Sequence, residues 1–233
     1  MYKSFILLWL MSPLLLFSQQ RDKRSAPFSI RYNIGIQKSL TSKKFRTAFD
    51  GVFESNLSIN TRLFSTFFIG IGYQYTNFQN NKAVFVFYQN KDPNGNPLGA
   101  SLPYNTRMIG NAGFIKLGYD HFFEKGFVTL SLNSGYSIVN YKNVVNDSSA
   151  ANLPFRSKTF NAPYLQPEIS VSFMADRSLT FSLMLAYTTM FYRFDPSAPR
   201  FNAVEEVRNK SNKYFMTWLN IGFGATILLG KRQ

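Results

Sequence analysis

Residues able to do chemistry are few in this 233-residue chain, and their spacing excludes more than it offers. There is no cysteine, which removes a thiolate metal site, a Cys nucleophile, a lipid-modified N-terminal Cys and a disulfide scaffold. The single histidine, His121, stands beside Phe122-Phe123-Glu124 in a segment that reads as a tight turn. One histidine cannot build a three-His or His-carboxylate metal centre. In a short turn it is also remote from the longer links that would have to supply a Ser-His-acid triad. Asp50 and Glu54 form a carboxylate pair on one side of an extended segment, but four residues of strand set them ~13 Å apart, too far for glycoside hydrolysis. Asp92-Pro93-Asn94-Gly95-Asn96 lacks the spacing and the final Glu of a calcium loop. The residues point to no enzyme, no metal and no cofactor.

The first residues read as an export signal. Lys3 precedes Phe5-Ile6-Leu7-Leu8-Trp9-Leu10-Met11, then Ser12-Pro13, Leu14-Leu15-Leu16-Phe17 and Ser18. One positive charge, a short apolar run and a small residue at its end is the layout of a secretory signal. The run is too short, and interrupted by Pro13, for a membrane-spanning helix. No later segment approaches 18 uninterrupted apolar residues, so no transmembrane helix is expected. A formal charge of +14 would suggest nucleic acid for an internal protein. Export removes that partner, so nucleic acid is not expected and the cations need another anion.

What must position these charges is a set of strands. Phe28, Ile30, Tyr32, Ile34 and Ile36 alternate with Ser29, Arg31, Asn33, Gly35 and Gln37. Leu219, Ile221, Phe223, Ala225, Ile227 and Leu229 alternate with Asn220, Gly222, Gly224 and Thr226. Segments starting near Phe49, Phe67, Ile115, Val128, Leu165 and Phe181 repeat the pattern, and none shows a sustained helical period. The polar side is built from Gly, Ser, Thr and Asn rather than solvated ions, which suits a narrow interior, while the large apolar side suits hydrocarbon. Each strand is long enough to cross a bilayer at a tilt. Links near 38–48, 79–105, 142–162 and 194–212 are long and polar, and those near 60–62, 121–126 and 176–178 are tight. Eight strands with this alternation place both termini at the short-turn end. Ala83-Val84-Phe85-Val86-Phe87-Tyr88 would make a ninth and break the parity, so it is expected to stand outside the membrane as an extension hairpin.

This pattern resembles the small eight-stranded outer-membrane barrels of Gram-negative bacteria, the OmpA- and OmpX-type family. The resemblance implies an all-β, eight-stranded antiparallel up-and-down transmembrane β-barrel in the cell outer membrane. It implies a signal peptide at 1–18, a periplasmic segment at 19–27 and the barrel at 28–233. It further implies that barrel-assembly machinery reads the last strand, Trp218 to Gly230, although this chain ends Gly230-Lys231-Arg232-Gln233 rather than on an aromatic residue. Members of that family anchor the envelope, adhere to surfaces or serve as subunits of larger assemblies.

By parity, Arg31, Asp50, Glu54, Lys116, Asp120 and Glu168 face the lumen. An interior this narrow is filled by side chains, so Arg31 and Lys116 are expected to pair with Glu54 and Glu168 as a polar plug. The long links carry an excess of cations. Lys43, Lys44, Arg46, Arg107, Arg156, Lys158, Arg208 and Lys210 are expected at the height of lipopolysaccharide phosphates. Tyr73, Tyr75, Tyr136, Tyr187 and Phe191 near the loop ends, and Tyr119, Phe173 and Phe181 near the turn ends, read as two interfacial girdles. The expectation is a barrel with a structural or interaction role, its basic loops meeting lipopolysaccharide or envelope protein partners. A narrow channel for a small solute is the alternative. A soluble lipid carrier would instead put the apolar side inside.

Overall fold

The computed structural model describes residues 26–81, 84–91, 94, 97–145, 158–197 and 205–230, with side chains omitted at 84–91, 97–104, 143–145, 158 and 205. The expected signal peptide, nearly all of the 19–27 segment, Arg156 and the side chain of Lys158 therefore lie outside the described residues.

Nine strands follow in chain order: β1 (Phe28–Ser39), β2 (Phe49–Arg62), β3 (Phe67–Asn80), β4 (Val84–Lys91), β5 (Pro97–Phe123), β6 (Gly126–Val145), β7 (Lys158–Met174), β8 (Leu179–Met190) and β9 (Met216–Leu229). Eight of them close a ring. β1, β2, β3, β5, β6, β7, β8 and β9 pair antiparallel in that order, and β9 returns to β1 over Phe28↔Leu229 to Ser39↔Trp218. β4 pairs only with the first part of β5, Val84↔Tyr104 to Lys91↔Pro97, above the stretch where β5 meets β3. The extra apolar segment is thus an extension hairpin, and the wall remains eight-stranded.

The two faces meet opposite solvents. Ile36 is 70% exposed, Ile71 67% and Phe223 68%, while Asn33, Glu54, Lys116 and Asn133 are buried. Leu132 and Leu183 also face outward. In water this inversion would cost ~25 cal/mol for every Å² of apolar surface left wet, so the exterior is a lipid face and the chain spans a membrane with its strands. The outward positions of β9 from Leu219 to Leu229 cover eleven residues, ~33 Å along the strand and ~25 Å of bilayer at the usual tilt. Closure leaves no sheet edge to hydrocarbon across the wall. Tyr73, Tyr136, Tyr187, Phe191, Phe173 and Phe181, expected in the interfacial bands, all face outward.

Short turns occupy 63–66, 124–125 and 175–178, and β1 starts and β9 ends on the same side. The first of these is shifted from the expected 60–62 because β2 continues to Arg62. Long links join β1–β2, β3–β5, β6–β7 and β8–β9 at the other end. Two of them contain helices that period two cannot reveal: α1 (Lys43–Ala48) and α2 (Glu205–Arg208). α1 starts at Ser42, whose Oγ accepts from the Phe45 N–H, and ends where Phe49 turns extended.

One expected inward residue is outward. The β2–β3 register slips between Gly51 and Phe53, and this bulge turns Phe49 fully inward and Asp50 outward. Asp50 is therefore not a lumen charge, and with Glu54 inside the two carboxylates face different solvents.

Candidate functional site

The lower lumen holds a connected network of ions. Lys116 on β5 donates to Glu168 Oε1 on β7 at 2.9 Å. Arg31 on β1 lies 3.9 Å from the same Glu168 and 3.9 Å from Asp120. Its Nε and Nη2 also donate to the hydroxyls of Thr226 and Thr129. Asp120 receives Arg62 Nη2 at 2.6 Å and Thr129 Oγ1 at 2.6 Å. Arg62 closes the turn end by donating to the carbonyls of Ala26 and Ser65. Its guanidinium also lies over the Phe122 ring.

Glu54 departs from the expected pairing. Its carboxylate is fully buried and accepts four hydrogen bonds, all from neutral donors: Gln37 at 2.9 Å, Gln166 at 2.6 Å, Trp218 at 2.9 Å and Asn220 at 2.9 Å. Neither Arg31 nor Lys116 reaches it. Gln166 in turn accepts from Asn133, which also donates to Glu168 at 3.4 Å, so two amides bridge the carboxylates. Arg31, Arg62 and Lys116 balance Asp120, Glu168 and Glu54 across the network, but one carboxylate is held by dipoles alone. Charge-assisted hydrogen bonds of this kind are short and strong, and four of them compensate much of the desolvation of the ion.

Above this layer the lumen is aromatic. Phe49, Phe78, Met108, Tyr141, Tyr164, Met190 and Trp218 line the wall, and Phe45 from α1 with Phe194 and Val207 from the β8–β9 link fill the mouth. Phe45 stands edge-on to Phe78 at 5.1 Å and to Phe194 at 5.7 Å, and Phe78 meets Trp218 at 5.3 Å. Each fully buried Phe stabilises the closed mouth by ~2–3 kcal/mol. Tyr192 stacks on Phe160 at 3.8 Å. Burial first, and the nearby Asp195 second, raise its phenol above the usual tyrosine range, so it is uncharged at neutral pH. Trp218 joins the two layers, its ring in the cap and its indole N–H on Glu54. Among the described residues the lumen side chains thus form two layers, one ionic and one aromatic. Only a large apolar residue inside the polar run Lys43-Lys44-Phe45-Arg46 hinted at the cap in the sequence.

The rim cations fall into separate groups. Lys43, Lys44 and Arg46 on α1, and Arg208 and Lys210 on and after α2, lie on two short helices that pack on one another, with exposed Glu206 also on α2. Arg193 adds a guanidinium over the Phe215 ring. Arg107 is not in a loop: it lies in the β5 wall, outward and exposed, on the far side of the ring. His121 is exposed at the turn end, and among the described residues no three His, Asp or Glu side chains gather as metal ligands.

The closed ring, lipid-facing belt, long-loop rim and filled interior define an eight-stranded outer-membrane β-barrel. No protein-family model matches the sequence, and none of the curated proteins is similar to it. Among solved structures, Neisserial surface protein A is 14% identical over 88% of this chain and 98% of its own, with a TM-score of 0.45. OprG of Pseudomonas aeruginosa is 14% identical over 87% and 96%, with a TM-score of 0.44. Ail of Yersinia pestis, solved with the heparin analogue sucrose octasulfate, is 7% identical over 87% and 98%, with a TM-score of 0.41.

Proposed function

We propose that this barrel has a structural and interaction role in the outer membrane, its basic rim contacting the anionic sugars and phosphates of lipopolysaccharide or acidic envelope proteins. One observation carries the reading: the lumen is filled by ion network and aromatic cap, while exposed cations gather on α1 and α2. Side chains packed across the interior favour a role at the outer surface over solute passage. Lysine and arginine there suit phosphate and carboxylate groups, arginine by two parallel hydrogen bonds.

The test uses water-soluble, deacylated lipopolysaccharide and the purified barrel in neutral detergent. Replacing Lys43, Lys44, Arg46, Arg208 and Lys210 by Gln is expected to weaken binding about fivefold or more, since each exposed ionic contact contributes roughly 0.2–1 kcal/mol. Raising the salt is expected to do the same to the unaltered protein. Unchanged binding in the substituted protein sinks the rim reading. Large, stable conductance in planar bilayers would favour the narrow channel instead.

A further inference from the structure

The outward face shared by β3, β5 and β6 is built differently from the rest of the belt. Arg107 and Lys142 are paired directly across β5 and β6, both exposed, and Gln79 stands opposite Arg107 on β3. Like charges at facing positions of adjacent strands repel. Among the described residues no carboxylate answers either cation. Below them, toward the bilayer, lie the carboxamides of Asn77 and Asn140, both opposite Ile109, and of Asn111. Asn77 Oδ1 is buried with no hydrogen-bond partner, and Asn140 Oδ1 accepts from Thr159 Oγ1 at 2.6 Å. Lower still, Gly113 sits directly between Tyr73 on β3 and Tyr136 on β6. Both rings are exposed, and a Cβ added at Gly113 would meet no atom within 4 Å. Tyr73 leans toward the loop end to donate to Asn111. The result is a slot with tyrosine walls and a bare backbone floor, opening onto lipid, with Ile71, Ile115 and Leu117 beneath it.

From Arg107 to Gly113 is six residues, ~20 Å along the strand and ~14 Å of depth at the usual tilt. Cations, then carboxamides, then an aromatic slot, then aliphatics is the order met along an amphiphile that carries phosphate, sugar hydroxyls and acyl chains. We propose that this wall binds a phosphorylated glycolipid of the outer leaflet, with Arg107 and Lys142 clamping a phosphate, the amide N–H groups of Asn111 and Asn140 meeting the sugar, and the Tyr73–Gly113–Tyr136 slot receiving an acyl chain. The bound phosphate relieves the repulsion that the paired cations otherwise impose. The proposal rests on the outward basic surface already assigned an anion-binding role, but its site lies across the ring from the α1–α2 group.

The experiment titrates phosphorylated lipid A into the barrel in neutral detergent and counts bound lipid by native mass spectrometry. Enzymatically dephosphorylated lipid A and phosphatidylglycerol are the comparison ligands. Lipid A is expected to bind tightest, at least tenfold above either. Arg107→Gln with Lys142→Gln is expected to lower its affinity roughly tenfold or more. Gly113→Leu, which fills open space and leaves the fold intact, is expected to weaken it similarly while leaving deacylated lipopolysaccharide binding unchanged. Substituting the α1 and α2 cations is expected to spare lipid A binding, which separates failure of this site from failure of the rim. Equal binding of dephosphorylated lipid A, equal binding of phosphatidylglycerol, or unchanged affinity in both variants would overturn the assignment.

Discussion

Lys116, Glu168 and Glu54 show how three buried charges are held by different means. Lys116→Met leaves Glu168 with Arg31 at 3.9 Å and one amide, and is expected to cost about 3–5 kcal/mol in urea unfolding from lipid vesicles. Lys116→Met combined with Glu168→Met is expected to recover most of that loss, because the pair is replaced rather than broken. Glu54→Ala orphans four donors at once, Trp218 among them, and is expected to cost about 3 kcal/mol or more by the same measurement. An Ala variant as stable as the unaltered protein would show that the donors re-pair. Side-chain parity along each strand located Arg31, Glu54, Lys116, Asp120 and Glu168 inside, since alternate positions meet different solvents. Parity says nothing about partners. Glu168 meets Arg31 through ring closure and Lys116 across two strand boundaries, and those contacts depend on the stagger of the strands. Asp50 was misread because an added residue at Gly51–Phe53 leaves the letters of the pattern unbroken while turning the chain over.

Among the elements, β7 is the weakest part of the wall. Phe191 donates to the Pro163 carbonyl, which makes the odd-numbered residues of β7 the ones whose backbone groups face β8. Pro163 and Pro167 therefore lack N–H groups where β8 offers Phe191 and Tyr187 carbonyls, and the pairing skips from Leu165↔Thr189 to Glu168↔Ala186. Pro167→Val is expected to restore a rung and raise unfolding stability by about 1 kcal/mol, seen as a higher urea midpoint. A lower midpoint would mean that the ring of Pro167 packs where a backbone hydrogen bond cannot form. Phe45→Ala is expected to cost about 3–5 kcal/mol and to shift Trp218 fluorescence, since the cap loses its central ring. The strands were legible because lipid and lumen impose opposite chemistry on alternate residues. The cap was not. Phe45 and Phe194 sit in polar links, and Met216 and Trp218 stand at a strand end where an aromatic reads equally well as a girdle.

At the scale of the whole molecule, the exterior is the side that hydrocarbon stabilises. Phe223→Lys, near the middle of the belt, is expected to cost about 2–4 kcal/mol in a bilayer, whereas Asp50→Asn at the exposed rim is expected to change little. On a detergent gel the unboiled protein should migrate apart from the boiled one, because a closed ring resists unfolding until heated. Identical migration would count against closure.

β5 runs for 27 residues while β3 and β9 each run for 14, so one strand with its β4 partner stands well proud of the others. Among the described residues its tip is joined to the wall through its own ladder. Lengthening or trimming that hairpin by matched pairs of residues alters how far the protein projects from the cell and leaves every lumen contact where it was. A single-residue change there would exchange its two faces instead. Reach into the surroundings can thus drift independently of the membrane-embedded part.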